Sequence, residues 1–347
     1  MRCAAALAII GLCTAARADS VTNAVYVNST QAAASDPRST LVTDALHAGF
    51  GIGDDWTVGG GLNLTLPGAT TQFGDRGDAV TLFAADVDWA ATDNLSLALS
   101  LDYSPKSTQF AGTVIGLRTS GGAESTANAE LRSRTAELGA GVAVSWDTLG
   151  LSNLEWSFDL GVDFSHYDID QGISAVRSTL TLQQVQQQAA AYCLAHPRLP
   201  SCARGLQTAV TLDFERISAT ALATLFVDTD VSLSADWYAY NQDPSQVGYF
   251  GLASQGRAPS LPIAPLQYLI RPEVQHRFGD FSARAWLQTG EYVAGTGSGT
   301  AGIGLKLQYR FTRAWRAWVT ASGQRDVDAA ANVTRSGTVS VGAGYRW

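Results

Sequence analysis

Charged side chains recur at regular positions within alternating segments of this 347-residue chain. In residues 95–103 and 154–165, apolar or aromatic residues occupy every second position, with polar or charged residues between them. Because successive side chains of a strand point to opposite faces, the charges of one segment share one face. Up to residue 240 these polar-face charges are mostly acidic, apart from Arg216: Asp86, Asp88, Asp102, Glu137, Glu155, Asp159, Asp163 and Asp236. From residue 266 onward they are mostly basic, apart from Glu273: Arg271, Arg284, Lys306, Arg310, Arg316 and Arg346.

These two sets are named the acidic arc and the basic arc, because they would line opposite parts of the wall if the segments closed into a barrel. Across a water-filled lumen, arcs of opposite sign produce a transverse field that orients dipolar solutes and filters ions. The alternative is that the charges pair across a narrow, filled interior and only hold it together.

Residues able to carry catalysis or bind a metal do not form a known motif. The chain has four His (His47, His166, His196 and His276) but no G-x-S-x-G or H-E-x-x-H sequence. Cys193, His196 and Cys202 offer too few ligands for a structural zinc site. We therefore predict that the protein is not an enzyme and holds no metal or cofactor.

The connections between the alternating segments are short and long in turn. Short ones carry Asp, Asn and Gly, as tight hairpins require. The long ones span residues 67–78, 104–134, 166–215, 241–265, 290–300 and 325–337. About fourteen strands of roughly 9–12 residues result, which is the length that a tilted membrane strand needs.

The N-terminal residues and the composition indicate export. Arg2, an apolar run at residues 4–12 and Ala16-Arg17-Ala18 are typical of a secretory signal peptide, predicted as residues 1–18. The remainder, 19–347, is expected to be one domain without an apolar run of the roughly 20 residues that a membrane helix requires. A net charge of −8 argues against nucleic acid as a partner.

Residues 338–347 form an alternating segment whose apolar face includes Tyr345 and the final residue, Trp347. An aromatic final residue on such a strand resembles the C-terminal assembly signal of Gram-negative outer-membrane β-barrel proteins of the porin-like class. The resemblance implies an all-β, transmembrane antiparallel up-and-down barrel with short periplasmic turns and long extracellular loops. It also implies contact with outer-membrane lipid, lipopolysaccharide and the barrel-assembly machinery. A soluble β-sandwich or propeller is the alternative, and tryptophans at segment ends favour the membrane.

The long connection 166–215 contains a Gln- and Ala-rich stretch, residues 178–196, that predicts a helix ended by Pro197. Cys193 and Cys202 are predicted to form a local disulfide, since an exported pair this close is exposed to an oxidising compartment. This loop is either a constriction at the barrel mouth or an external cap with no part in transport.

Three functions are compatible with these features. The first is an outer-membrane pore for passive passage of small solutes. The second is an accessory barrel for export or secretion, for example of a polysaccharide. The third is a closed structural or adhesion barrel that acts through its surface loops.

Overall fold

The computed structural model describes residues 19–31, 39–66, 77–148, 155–196, 209–226, 228–241, 266–293, 298–327 and 333–346. These residues form fourteen strands and one helix, α1 (Leu182–Ala195). The strands are β1 (Ser20–Gln31), β2 (Ser39–Ile52), β3 (Trp56–Leu66), β4 (Val80–Thr92), β5 (Leu95–Arg118), β6 (Glu124–Asp147), β7 (Glu155–Arg177), β8 (Ala209–Phe226), β9 (Thr229–Tyr240), β10 (Leu266–Phe278), β11 (Phe281–Tyr292), β12 (Gly299–Arg310), β13 (Trp315–Val327) and β14 (Val333–Arg346). The predicted signal peptide, Cys202 and Trp347 lie outside the described residues.

The strands form one closed barrel in which neighbours in sequence are neighbours in the sheet. Each strand pairs antiparallel with the next, and β1 closes the ring on β14 with Val25 opposite Val341. Two of the short connections, after β2 and β10, contain glycines with positive φ, Gly53 at 66° and Gly279 at 64°. Glycine adopts this conformation at no steric cost, which permits the tight turns. The predicted all-β, antiparallel up-and-down barrel is confirmed.

The outer face of the barrel is apolar and exposed. Leu99 is 57% exposed and Val341 55%, although in a water-soluble sheet such residues belong to the core. Trp56 stacks on Trp89 with ring centroids 5.6 Å apart, and Trp315 meets Tyr345 at 4.7 Å, all near the short turns. Aromatic rings at the ends of an apolar band match the interface girdles of membrane barrels.

No helix within the described ranges combines the length and the apolar character that crossing a membrane demands.

Three strands extend well beyond the others, and here the sequence-based prediction of loops is wrong. β5 and β6 have 24 residues each and β7 has 23, so much of the predicted loops 104–134 and 166–215 is strand. The extension begins at a bulge between Ser104 and Ser107 that contains Pro105, a residue that bulges tolerate. Above the bulge the outward positions are polar, for example Arg134 on β6 and Asp168 on β7, so the apolar outer face that marks a lipid-facing strand ends there.

The helix α1 packs against the β5–β7 extension. Its first turn is closed by a capping box between Thr181 and Gln184, and Val185, fully buried, contacts Leu117 and Ala127. Ala127 lies on the same phase of β6 as Glu137, which belongs to the inner face further down the strand. The predicted helix within 178–196 is therefore confirmed, and its buried side covers the inward phase of the extension.

Substitution Leu99→Arg tests which face meets lipid. An arginine near the middle of the apolar band costs about 2–4 kcal/mol of folding free energy in a bilayer. We expect a matching loss in urea titrations of protein folded in lipid vesicles, followed by the gel-mobility shift of folded barrels. The control, Ala98→Arg, faces the interior beside Asp88, its partner on β4, and is expected to cost much less. Equal losses for the two variants would contradict the assignment of faces.

Candidate functional site

The interior of the barrel is the candidate site, because strand phase collects the charged side chains there. All members of the acidic arc and the basic arc lie on the strand phase opposite to the exposed apolar residues. The acidic arc follows β4 to β9 and the basic arc follows β10 to β14. Closure of the sheet thus gives the two arcs separate parts of one wall.

Several members of the acidic arc have direct partners. Arg216 donates from Nε and Nη2 to Asp163 Oδ2 at 3.0 and 2.8 Å. Asp86 Oδ1 lies 2.8 Å from His47 Nε2, and the Tyr167 hydroxyl donates to Glu137 Oε1 at 2.5 Å. Arg216, the basic exception in the sequence pattern, thus neutralises part of this arc.

Two further acidic residues, Asp102 and Asp236, lie near the Asp163–Arg216 pair. Within the described residues, neither forms an ion pair of its own. Asp102 interacts electrostatically with Asp163 and Arg216, and Asp236 interacts with Arg216 and with Arg271 of the basic arc. One arginine therefore stands among three carboxylates, and this part of the wall keeps a negative balance.

Two cations of the basic arc are paired with acids. Arg284 Nε lies 3.3 Å from Glu273 Oε1 and also donates to Gln275 Oε1 at 2.9 Å. Arg310 Nη2 lies 2.9 Å from Asp280 Oδ1, in the short turn between β10 and β11. These contacts hold the two guanidinium groups against the wall.

Lys306 and Arg316 have a different neighbour, the indole of Trp318. Lys306 Nζ lies 5.2 Å and Arg316 Cζ 6.0 Å from the ring centroid, both within the range of a cation–π contact. The ring itself lies against the backbone of Gly342, its direct partner on β14, where a Cβ atom would overlap the indole. The absence of a side chain at Gly342 therefore allows Trp318 to lie flat against the luminal wall.

Two adjoining cavities open along the basic arc. The larger, about 670 Å³, lies at the short-turn end and is lined by residues that include Asp19, Asp54, Arg313 and Arg346. The smaller, about 340 Å³, lies deeper, between β1–β4 on one side and β12–β13 on the other. Both are lined by Gln308 and Arg316, so they form one path from the end of the barrel into its interior.

Towards the opposite end, aromatic and aliphatic side chains cover the inner face. Tyr167 and Ile169 of β7 pack with Leu212 and Phe214 of β8, and two tyrosines of β9, Tyr238 and Tyr240, border them. The rings of Tyr167 and Phe214 stack with their centroids 5.8 Å apart. On β7–β9 the inner wall is therefore aromatic and aliphatic towards the extended strands, whereas the inner face of the neighbouring β6 carries the buried polar residues Ser133, Thr135 and Glu137.

The sequence patterns did not identify Trp318 or the aromatic cluster as parts of the inner wall. An aromatic residue on the polar phase of a strand, opposite a glycine on the next strand, is the signal that would have found Trp318. In the described part of the chain, no group of three or more His, Cys, Asp or Glu side chains is placed to hold a metal ion. Cys193 lies in α1 and Cys202 outside the described residues, so their disulfide stays a prediction.

The barrel and its apolar outer face define the class: the fold is that of an outer-membrane β-barrel. No family model and no curated protein matches the sequence. Among solved structures, the chain is similar to the Ralstonia pickettii toluene transporter TbuX, with TM-score 0.53, 9% identity, and coverage of 94% of this chain and 88% of that one. It is also similar to the P. putida toluene transporter TodX, with TM-score 0.50, 10% identity, and coverage of 97% and 92%. The monoaromatic hydrocarbon channel CymD gives TM-score 0.50, 9% identity, and coverage of 96% and 90%. At these identities the likeness shows a shared fold.

Proposed function

We propose that this protein is a channel in the outer membrane of a Gram-negative bacterium, through which small solutes pass passively. The observation that carries the proposal is the path formed by the two cavities, which enters the barrel along the inner face of β12–β14 and β1–β4. The exposed apolar band supplies the contact with lipid. A closed sheet satisfies its backbone groups internally, as residence in a bilayer demands.

The similar structures support transport as the general activity. TbuX and TodX are described as toluene transporters and CymD as a channel for monoaromatic hydrocarbons. We do not extend hydrocarbon selectivity to this chain, because its cavities are lined by charged residues such as Lys306 and Arg346. Such a lining is suited to polar solutes, since an apolar molecule gains nothing from displacing the water around these charges.

The two arcs are proposed to act on solutes during passage. The negative balance around Asp102, Asp163 and Asp236 faces a wall that carries Lys306, Arg316 and Arg346. Charges of opposite sign on the two sides of a lumen orient a dipolar solute and raise the local concentration of ions near each side. This arrangement favours small polar or charged solutes over neutral ones.

Planar-bilayer recordings test the channel directly. We expect purified, folded protein to produce stepwise currents in salt solution, because the proposed water-filled pore lets ions cross the bilayer. The control is the same preparation heated until it loses the gel mobility of the folded barrel, which should give no steps. A bilayer that stays silent with well-folded protein would contradict the proposed function.

The position of α1 bears on the width of the barrel mouth. Val185 packs on Leu117 and Ala127, and the C-terminal end of the helix is held by His196 Nε2, 2.9 Å from Glu124 Oε1. We propose that α1 narrows the mouth formed by the extended strands, since it covers the inward phase of that ribbon.

Replacing residues 182–195 by a short Gly/Ser linker is therefore expected to raise the single-channel conductance, measured in the same bilayers. The matched control is Gln183→Ala, a substitution at an exposed helix position that leaves the packing intact, and it should conduct as the parent does. An unchanged conductance in the linker variant would assign α1 to an external cap instead.

A further inference from the structure

Lys306 and Arg316 of the basic arc lie near the same aromatic ring, that of Trp318. Arg284 and Arg310 contact carboxylates, whereas within the described residues no carboxylate oxygen lies within 4.0 Å of the Lys306 or Arg316 nitrogens. The neighbour that these two cations share is the face of Trp318. Glu273, which interacts electrostatically with Lys306, is itself paired with Arg284, so the two positive charges are positioned without a direct ion pair of their own.

A cation–π contact differs from an ion pair in what it leaves available on the cation. The ring attracts a cation through its quadrupole, but it carries no net charge and accepts none of the conventional hydrogen bonds that an ammonium or guanidinium group donates. Trp318, held flat against Gly342, thus fixes the two cations while their charge and their N–H donors stay available to the lumen. An anionic group is the natural acceptor for such donors.

The surrounding cavity has the size and the lining of a site for a small molecule. It encloses about 340 Å³, at the lower end of the volumes typical of small-molecule pockets. Besides the two cations, its wall contains Tyr26 and Asn63, which offer neutral hydrogen-bonding groups, and His47, which is paired with Asp86. The adjoining cavity, with Arg313 and Arg346, extends the basic lining to the short-turn end.

We propose that this cavity is a binding site for a small organic oxyanion, a carboxylate or phosphate ester, held by Lys306 and Arg316. Trp318 acts as a positioning residue that holds the two cations in place. The proposal rests on the proposed channel function and names the class of solute that the lumen selects. Such a site also distinguishes this chain from the structurally similar proteins described as hydrocarbon channels. A neutral aromatic hydrocarbon has no anionic oxygen that could accept hydrogen bonds from the two cations.

Isothermal titration of the full folded chain in detergent tests the site with four probes: benzoate, phenyl phosphate, benzyl alcohol and toluene. We expect the two anions to bind and the two neutral compounds not to bind. Lys306→Met and Arg316→Met, which remove the charge but keep most of the bulk, should each weaken anion binding by about tenfold or more, the usual effect of losing a hydrogen bond to a charged group. Comparing benzoate with phenyl phosphate identifies which oxyanion the site prefers.

Lys106→Met is the matched control, because Lys106 lies exposed at the β5 bulge and lines neither cavity. It should leave benzoate affinity within about twofold of the parent. Trp318→Leu should also weaken binding, because it removes the ring that holds Lys306 and Arg316 in place. Each variant is first checked for the gel mobility of a folded barrel, and Lys306→Gln replaces Lys306→Met if the latter fails to fold.

Bilayer recordings with the same proteins separate the two proposals. If benzoate reduces the current of the parent protein but not that of Lys306→Met, the result supports the site within a working channel. Anion binding by a protein that never conducts would overturn the channel and leave the site. Conduction with equal binding of benzoate and benzyl alcohol, or with undiminished benzoate binding in Lys306→Met and Arg316→Met, would overturn the site and leave the channel.

Discussion

The hydrogen bonds between β1 and β14 are the contact on which the rest of the barrel depends. They run from Ser20 opposite Arg346 to Gln31 opposite Arg335 and leave neither strand with a free edge in the bilayer. In hydrocarbon each unpaired backbone group costs several kcal/mol, so a sheet of this kind is stable in a membrane only when it closes. Closure also creates an interior, and with it the distinction between a lipid-facing and a luminal phase on every strand.

The sequence predicts strand phase, and it predicts the length of strands such as β3, β9 and β12, but it does not predict the length of β5–β7. Alternation in residues such as 95–103 predicts which side chains share a face, because lipid demands an apolar residue at every second position of a membrane strand. Above the bulge at Pro105 that demand ends, and outward positions such as Arg134 and Asp168 are polar, so the pattern no longer resembles a membrane strand. The β5–β7 extension is held instead by its ladder hydrogen bonds, which depend on backbone pairing rather than on residue type.

The candidate site was predictable only as two sets of charges. Their phase follows from alternation, but whether Arg284 meets Glu273 or Lys306 meets Trp318 depends on cross-strand register. Register also places Gly342 beneath Trp318, and closure brings Tyr26 of β1 to the same cavity as Lys306 of β12. Contacts between residues this far apart in the chain arise from the closed sheet, and no local pattern encodes them.

Cross-linking across the closing seam tests this account most directly. Val25 and Val341 are direct partners on the outer face, whereas Val319 lies one strand further away, opposite Val341 on β13. In a chain whose native cysteines are replaced by alanine, Val25→Cys with Val341→Cys should be joined efficiently by a thiol reagent that spans about 5 Å, the separation of directly opposed side chains. Val25→Cys with Val319→Cys should not be joined. Efficient linkage of the second pair, or none of the first in folded protein, would contradict closure of the barrel through β1 and β14.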